Sequence, residues 1–170
     1  MMKLALMAFG IGVADGAALT PSQGFCIDVG FKTSSGIYTM KTQVEFRSDK
    51  FPPCEGEEAQ INPGLWGKRL AEYLVQKLSE KGIQTEEIIA EDWGWYIPVK
   101  NEGFRLAVCC GHQNGDDDEF LCFTEPSSPV VRRFFKKIDA TTQLARLTEA
   151  MRQIFASDPE IRDVVWKEPR

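Results

Sequence analysis

The chain has 170 residues, 43% hydrophobic and 26% charged. That is enough for one domain with a real core, and it excludes an intrinsically disordered polypeptide. The formal net charge of -5 argues against a nucleic-acid binder, which needs clustered cations to gather phosphates, and suits a basic protein partner.

The first 39 residues differ from the rest. Their two lysines and two aspartates cancel, so the net charge belongs to residues 40–170. An apolar run from Leu4 to Val13 is too short to span a bilayer, which needs about 20 residues, and no membrane span is expected elsewhere. Two readings stay open: a weak secretory signal with a small-residue cleavage site at Gly12-Val13-Ala14, or an upstream extension ahead of a true start at Met40. The first implies the periplasm. The second implies the cytoplasm, as does the cysteine usage. Cys26, Cys54, Cys109, Cys110 and Cys122 are odd in number and include an adjacent pair, which is no disulfide framework and reads as reduced, buried thiols.

From Met40 a compact domain, 40–170, is predicted. In MKTQVEFRS the residues Thr42, Val44 and Phe46 alternate with charged and polar ones, the pattern of a half-buried strand. A Pro- and Gly-rich acidic loop carrying Glu55, Glu57 and Glu58 follows. Asn62-Pro63 is then expected to open a helix. Trp66, Leu70, Tyr73, Leu74 and Leu78 share its apolar face, and Gly82 ends it as a left-handed cap. Four strands are predicted next, over Thr85–Glu91, Trp95–Lys100, Phe104–Gly111 and Glu119–Phe123. They are joined by the tight turn Asn101-Glu102-Gly103 and the longer polar turn His112–Asp118. Pro98 demotes its strand toward an edge or a bulge. SSPVVRRFFKKID reads as a short helix or helical turn with Arg132, Arg133, Lys136 and Lys137 on a solvated face. Asp139 then caps a helix whose stripe is Leu144, Leu147, Met151, Ile154 and Phe155, and Ile161–Trp166 forms the last strand. The order β-α-β-β-β-β-α-β predicts an α+β fold with a mostly antiparallel sheet and two amphipathic helices on one face.

EDWGWYIPV, Glu91 to Val99, is the segment with most chemistry. Trp93 and Trp95 are expected on one face and Tyr96 on the other, with Gly94 marking a bulge or a close backbone approach. Two tryptophans in a strand ordinarily build core. Beside Glu91 and Asp92 they also match what a cationic partner would use. Asp116, Asp117 and Asp118 form a second acidic cluster, without the ligand spacing of a calcium loop. Cys110 and His112 share a strand face while Cys109 points away, so no four-ligand zinc set is expected. No phosphate-cradling, dinucleotide, nucleophile-elbow or zinc-protease motif occurs, and no cofactor is expected.

Four stretches carry a resemblance: VEFRSDKFPP (44–53), NPGLWGKRLAEYL (62–74), EDWGW (91–95) and DPEIRDVVW (158–166). With them the layout resembles small single-domain bacterial α+β proteins of the toxin-immunity type. The resemblance implies an acidic, non-enzymatic protein that acts by covering its partner. Glu91, Asp92, Trp93, Trp95, Asp116, Asp117 and Asp118 are the candidate binding residues. The alternative is a small thiol-dependent or hydrolytic enzyme using Cys110 and His112.

Overall fold

The computed structural model describes residues 40–112, 115–133 and 135–169. The expectations for the leader fall outside the described residues. Six antiparallel strands form one sheet in the order β2-β3-β4-β5-β1-β8: β1 (Gln43–Arg47), β2 (Ile89–Glu91), β3 (Gly94–Val99), β4 (Leu106–His112), β5 (Glu119–Glu125) and β8 (Arg162–Lys167). Helices α1 (Lys68–Glu80) and α2 (Thr141–Ser157) supply the apolar stripes that share one core with the sheet. The fold is α+β.

The alternation in β1 works as the pattern predicts, with Thr42, Val44 and Phe46 buried. Phe46 lies against Phe120 of β5 and Phe155 of α2, at ring-centroid distances of 5.8 and 4.8 Å. Leu70, Leu74 and Leu78 of α1 and Leu144, Leu147, Met151 and Ile154 of α2 fill the space above the sheet. Each such side chain contributes about 2 kcal/mol of apolar transfer. Gly82 takes φ +70°, and the Ile83 N–H reaches back to the Leu78 carbonyl at 2.9 Å, closing α1 as expected. Pro98 is accommodated without loss. Its carbonyl accepts from Glu86 N–H on the side away from β4, so the missing N–H also faces away from the β3–β4 ladder.

Two expectations are corrected. Helix α1 begins at Lys68, not at Asn62-Pro63. Those residues instead form a turn whose Asn62 N–H donates to the Asp92 carbonyl at 3.0 Å. The segment expected as a short helix is a hairpin of β6 (Val130–Arg133) and β7 (Lys136–Asp139). The β-branched Val131 and Ile138 pair across it and rest against the edge of the core. As anticipated, the Asp139 carboxylate receives the Thr141 N–H at the start of α2, at 2.9 Å. Among the described residues no helix is long and apolar enough to cross a membrane.

Candidate functional site

Glu91 closes β2, Asp92 and Trp93 make the turn, and Gly94 opens β3. Gly94 has φ +147°, and a Cβ there would lie 2.7 Å from the Cys110 carbonyl oxygen. The expected close approach is therefore real: β3 passes β4 at a distance only glycine allows. The turn has a consequence that corrects the shared-face expectation. Strand parity governs residues inside one strand, and Trp93 stands outside β3. Trp93 and Trp95 consequently go to opposite faces.

Trp95 is only 3% exposed and so offers no surface to a partner. Its indole Nε1–H donates to Glu57 Oε1 at 2.7 Å, and Lys68 Nζ lies 5.5 Å from the ring centre. Glu57, read from sequence as one of several loop acids, is 1% exposed. Its Oε1 also accepts from the Gly67 and Lys68 N–H groups, each at 2.7 Å, and its Oε2 from Cys54 N–H at 2.9 Å. Gly67 and Lys68 are the N-terminus of α1, where backbone donors lack helical partners and the helix dipole favours an anion. The carboxylate thus caps α1 from ten residues upstream and ties the cap to the β3 indole. No local pattern announces it, because its donors come from positions 54, 67, 68 and 95.

Trp93 is 42% exposed and leans on Phe123 of β5, with ring centres 5.7 Å apart. It lies on the sheet face opposite the helices. There Ile89, Glu91, Trp93, Tyr96 and Glu125 help line a groove of about 1100 Å3. Burial, with the Glu125 carboxylate alongside, pushes the Tyr96 hydroxyl up to about 12, so it stays protonated as a donor at neutral pH. Glu91 and Asp92 are exposed at the mouth of the groove. A half-exposed indole, an exposed isoleucine and carboxylates that form no ion pair among the described residues make this end of the groove a surface that can bury an apolar side chain while meeting a cation; Arg105 and Arg132 also line the groove.

The second acidic cluster is differently placed. Asp116 and Asp118 hold Arg47 at 2.9 and 3.0 Å, and Asp118 also holds Arg162 at 2.6 Å. These pairs stitch the β4–β5 turn to β1 and β8 and neutralise most of the cluster. Asp117 is exposed and makes no ion pair among the described residues.

Cys110 and His112 do face the same way, into the core, as the strand spacing predicts. His112 is stacked on Trp66, with centroids 3.5 Å apart and planes tilted by 10°. Its Nε2 lies 3.2 Å from the Asp116 carbonyl oxygen, an acceptor only, so that nitrogen carries the proton. Cys110 stands opposite Cys122, and both are buried. Burial, then the Cys110 neighbour, raises the Cys122 thiol well above its ordinary range, and burial likewise raises Cys109 on the other face. Cys54, Cys109, Cys110 and Cys122 are free thiols, and among the described residues no three His, Cys, Asp or Glu side chains converge as metal ligands do. We expect a thiol reagent at pH 8 to label Cys54 while Cys109, Cys110 and Cys122 react only after denaturant is added. Rapid labelling of Cys110 in the folded protein, mapped by mass spectrometry, would instead reveal an activated thiolate. Compared with family models, curated proteins and solved structures, the chain shows no match.

Proposed function

We propose that this domain is a non-enzymatic protein-binding module of the immunity-inhibitor type, and that its open sheet face receives a basic segment of the partner. The observation carrying this reading is the half-exposed Trp93 with Glu91 on the wall of a groove of mixed apolar and charged lining, and the exposed Asp92 between them in the chain. Large exposed aromatics are typical anchors of interfaces, because one ring buries much apolar area for little lost conformational freedom. The carboxylates at the mouth attract a cationic segment over a Debye length of about 8 Å and raise its association rate. Tyr96, partly buried beside the Glu125 carboxylate, adds an aromatic wall inside the groove. The free thiols support work in a reducing compartment, the cytoplasm.

A selection of displayed random peptides on the folded protein tests this. Lysine- and arginine-bearing sequences are expected to win, with an aromatic or long aliphatic residue nearby. Trp93→Ala is expected to weaken the winners by about 10- to 30-fold through faster dissociation. Glu91→Gln with Asp92→Asn is expected to slow association and flatten its salt dependence. Winners that bind the Trp93→Ala protein as tightly as the parent would sink the reading.

A further inference from the structure

The β6–β7 hairpin contributes Val131 and Arg132 to the groove lining, and its tip beyond them is a second surface. Among the described residues its strands pair only with each other, the Ala140 N–H bond to the Pro129 carbonyl, 2.8 Å, closes its base, and it packs on the body through Val131 and Ile138. At its tip Phe135 is 104% exposed, the ring fully in water. Arg132, Lys136 and Lys137 beside it are exposed as well. The register sets Arg132 opposite Lys137 and Arg133 opposite Lys136. Like charges directly opposite on paired strands destabilise the pair, and no carboxylate forms an ion pair with Arg132, Lys136 or Lys137 among the described residues. Elsewhere on the molecule Arg47, Lys50, Arg162 and Lys167 all hold carboxylates. The tip is therefore a place where repulsion stands unrelieved and a large apolar ring stands uncovered. Both deficits are removed by one kind of partner, an anionic surface with an apolar layer beneath it.

We infer that the hairpin tip docks on anionic lipid bilayers, Phe135 entering the interface while Arg132, Lys136 and Lys137 meet the headgroups. Phosphatidylserine-type surfaces attract basic segments, and an aromatic ring among the cations adds apolar burial in the interfacial layer. A nucleic acid fits the same charges less well. Single-strand binders track the phosphates along an extended positive groove, whereas here the cations sit on a two-stranded hairpin with four residues in each strand. The rest of the chain carries a net -9 once the run's Arg132, Arg133, Lys136 and Lys137 are set apart from the total of -5. A polyanion longer than the arm would meet that field. A bilayer approached tip-first meets the arm before the acidic body.

The test is co-sedimentation of the full chain with vesicles of phosphatidylcholine alone and with about 30% phosphatidylserine, alongside oligonucleotide binding and light scattering for self-association. Binding is expected only to the anionic vesicles, and to weaken as salt is raised. Lys136→Gln with Lys137→Gln is expected to lower partitioning on the order of 20-fold, and Phe135→Ser by about 10-fold. These positions are exposed, so unchanged circular dichroism and thermal unfolding are expected of each variant. No binding to anionic vesicles overturns the inference. So does binding that neither substitution reduces, which would assign the affinity to another segment such as the apolar run Leu4–Val13. Oligonucleotide binding or self-association that the substitutions abolish, without vesicle binding, would reassign the tip to that partner.

Discussion

Replacing Glu57 by alanine is expected to lower the unfolding free energy by about 3–5 kcal/mol, the cost of stranding a buried set of donors. Four N–H groups converge on this carboxylate: Cys54, Gly67, Lys68 and the Trp95 indole. Two of them are orphan donors of a helix N-terminus, so α1 also loses its cap and a favourable charge at its positive end. For a domain of this size the midpoint of thermal unfolding is expected to fall by roughly 10–20 °C. Glu57→Gln separates the parts of the effect. One oxygen still accepts, but an amide NH2 then faces the Cys54 N–H or the triple donor set, and a loss of about 2 kcal/mol is expected. Denaturant titrations followed by both tryptophan emission and far-ultraviolet circular dichroism measure these losses. An alanine variant within 1 kcal/mol of the parent would mean that water enters and satisfies the donors, and that the site is not a sealed cap.

The second large effect is at Gly94, with Gly111 as its internal control. An alanine Cβ at position 94 would meet the Cys110 carbonyl oxygen at 2.7 Å, from a backbone at φ +147° that L residues rarely adopt. The obstacle is backbone of the neighbouring strand, which cannot swing aside as a side chain can. Strain of about 1–3 kcal/mol adds to the cost of prising β3 from β4, and a total near 4 kcal/mol is expected. Gly111, directly beside it, is different. A Cβ there finds its nearest neighbours at 3.5 Å, an ordinary contact, and alanine also restricts the unfolded chain. Gly111→Ala is expected within about 1 kcal/mol of the parent. Equal losses at the two positions would refute the close-approach account. The Gly94 effect also bears on the proposed interface: the glycine is what lets the turn send Trp93 outward while Trp95 goes in, so a folded Gly94 variant is expected to lose peptide binding along with stability.

The two proposed surfaces differ in chemistry. The Trp93 end of the groove is an aromatic wall with carboxylates; the β6–β7 tip is an aromatic point among cations, of which Arg132 also lines the groove. Separate substitutions at Trp93 and Phe135 therefore report on separate partners. Phe135 stands wholly in water, whereas Trp93 is partly covered by Phe123, so thermal unfolding of the Trp93 variant accompanies its binding test.

Much of the framework was legible by itself. The period-2 pattern of Thr42, Val44 and Phe46, the helical stripes of α1 and α2, the Gly82 stop and the strand-rich middle are set by local chemistry and by which side chains avoid water. They are sufficient for the class, α+β with an antiparallel sheet. Fold class is carried by periodicity, and periodicity is a property of neighbours in sequence. What the pattern did not reveal depends on residues far apart in the chain. The Glu57 donors span positions 54 to 95, so the real start of α1 is set by an acid that no capping motif would select. Trp93 and Trp95 look alike in sequence, and one glycine pressed against Cys110 decides that one is core and the other surface. The acids of 116–118 look like free charge until β1 and β8 bring Arg47 and Arg162 to them. The basic run 132–137 suits either helix or hairpin by charge, and only the pairing of Val131 with Ile138 over the core edge selects the hairpin. In each case the deciding energy lies in desolvation and in partners brought together by the chain's folding, which one-dimensional spacing does not contain.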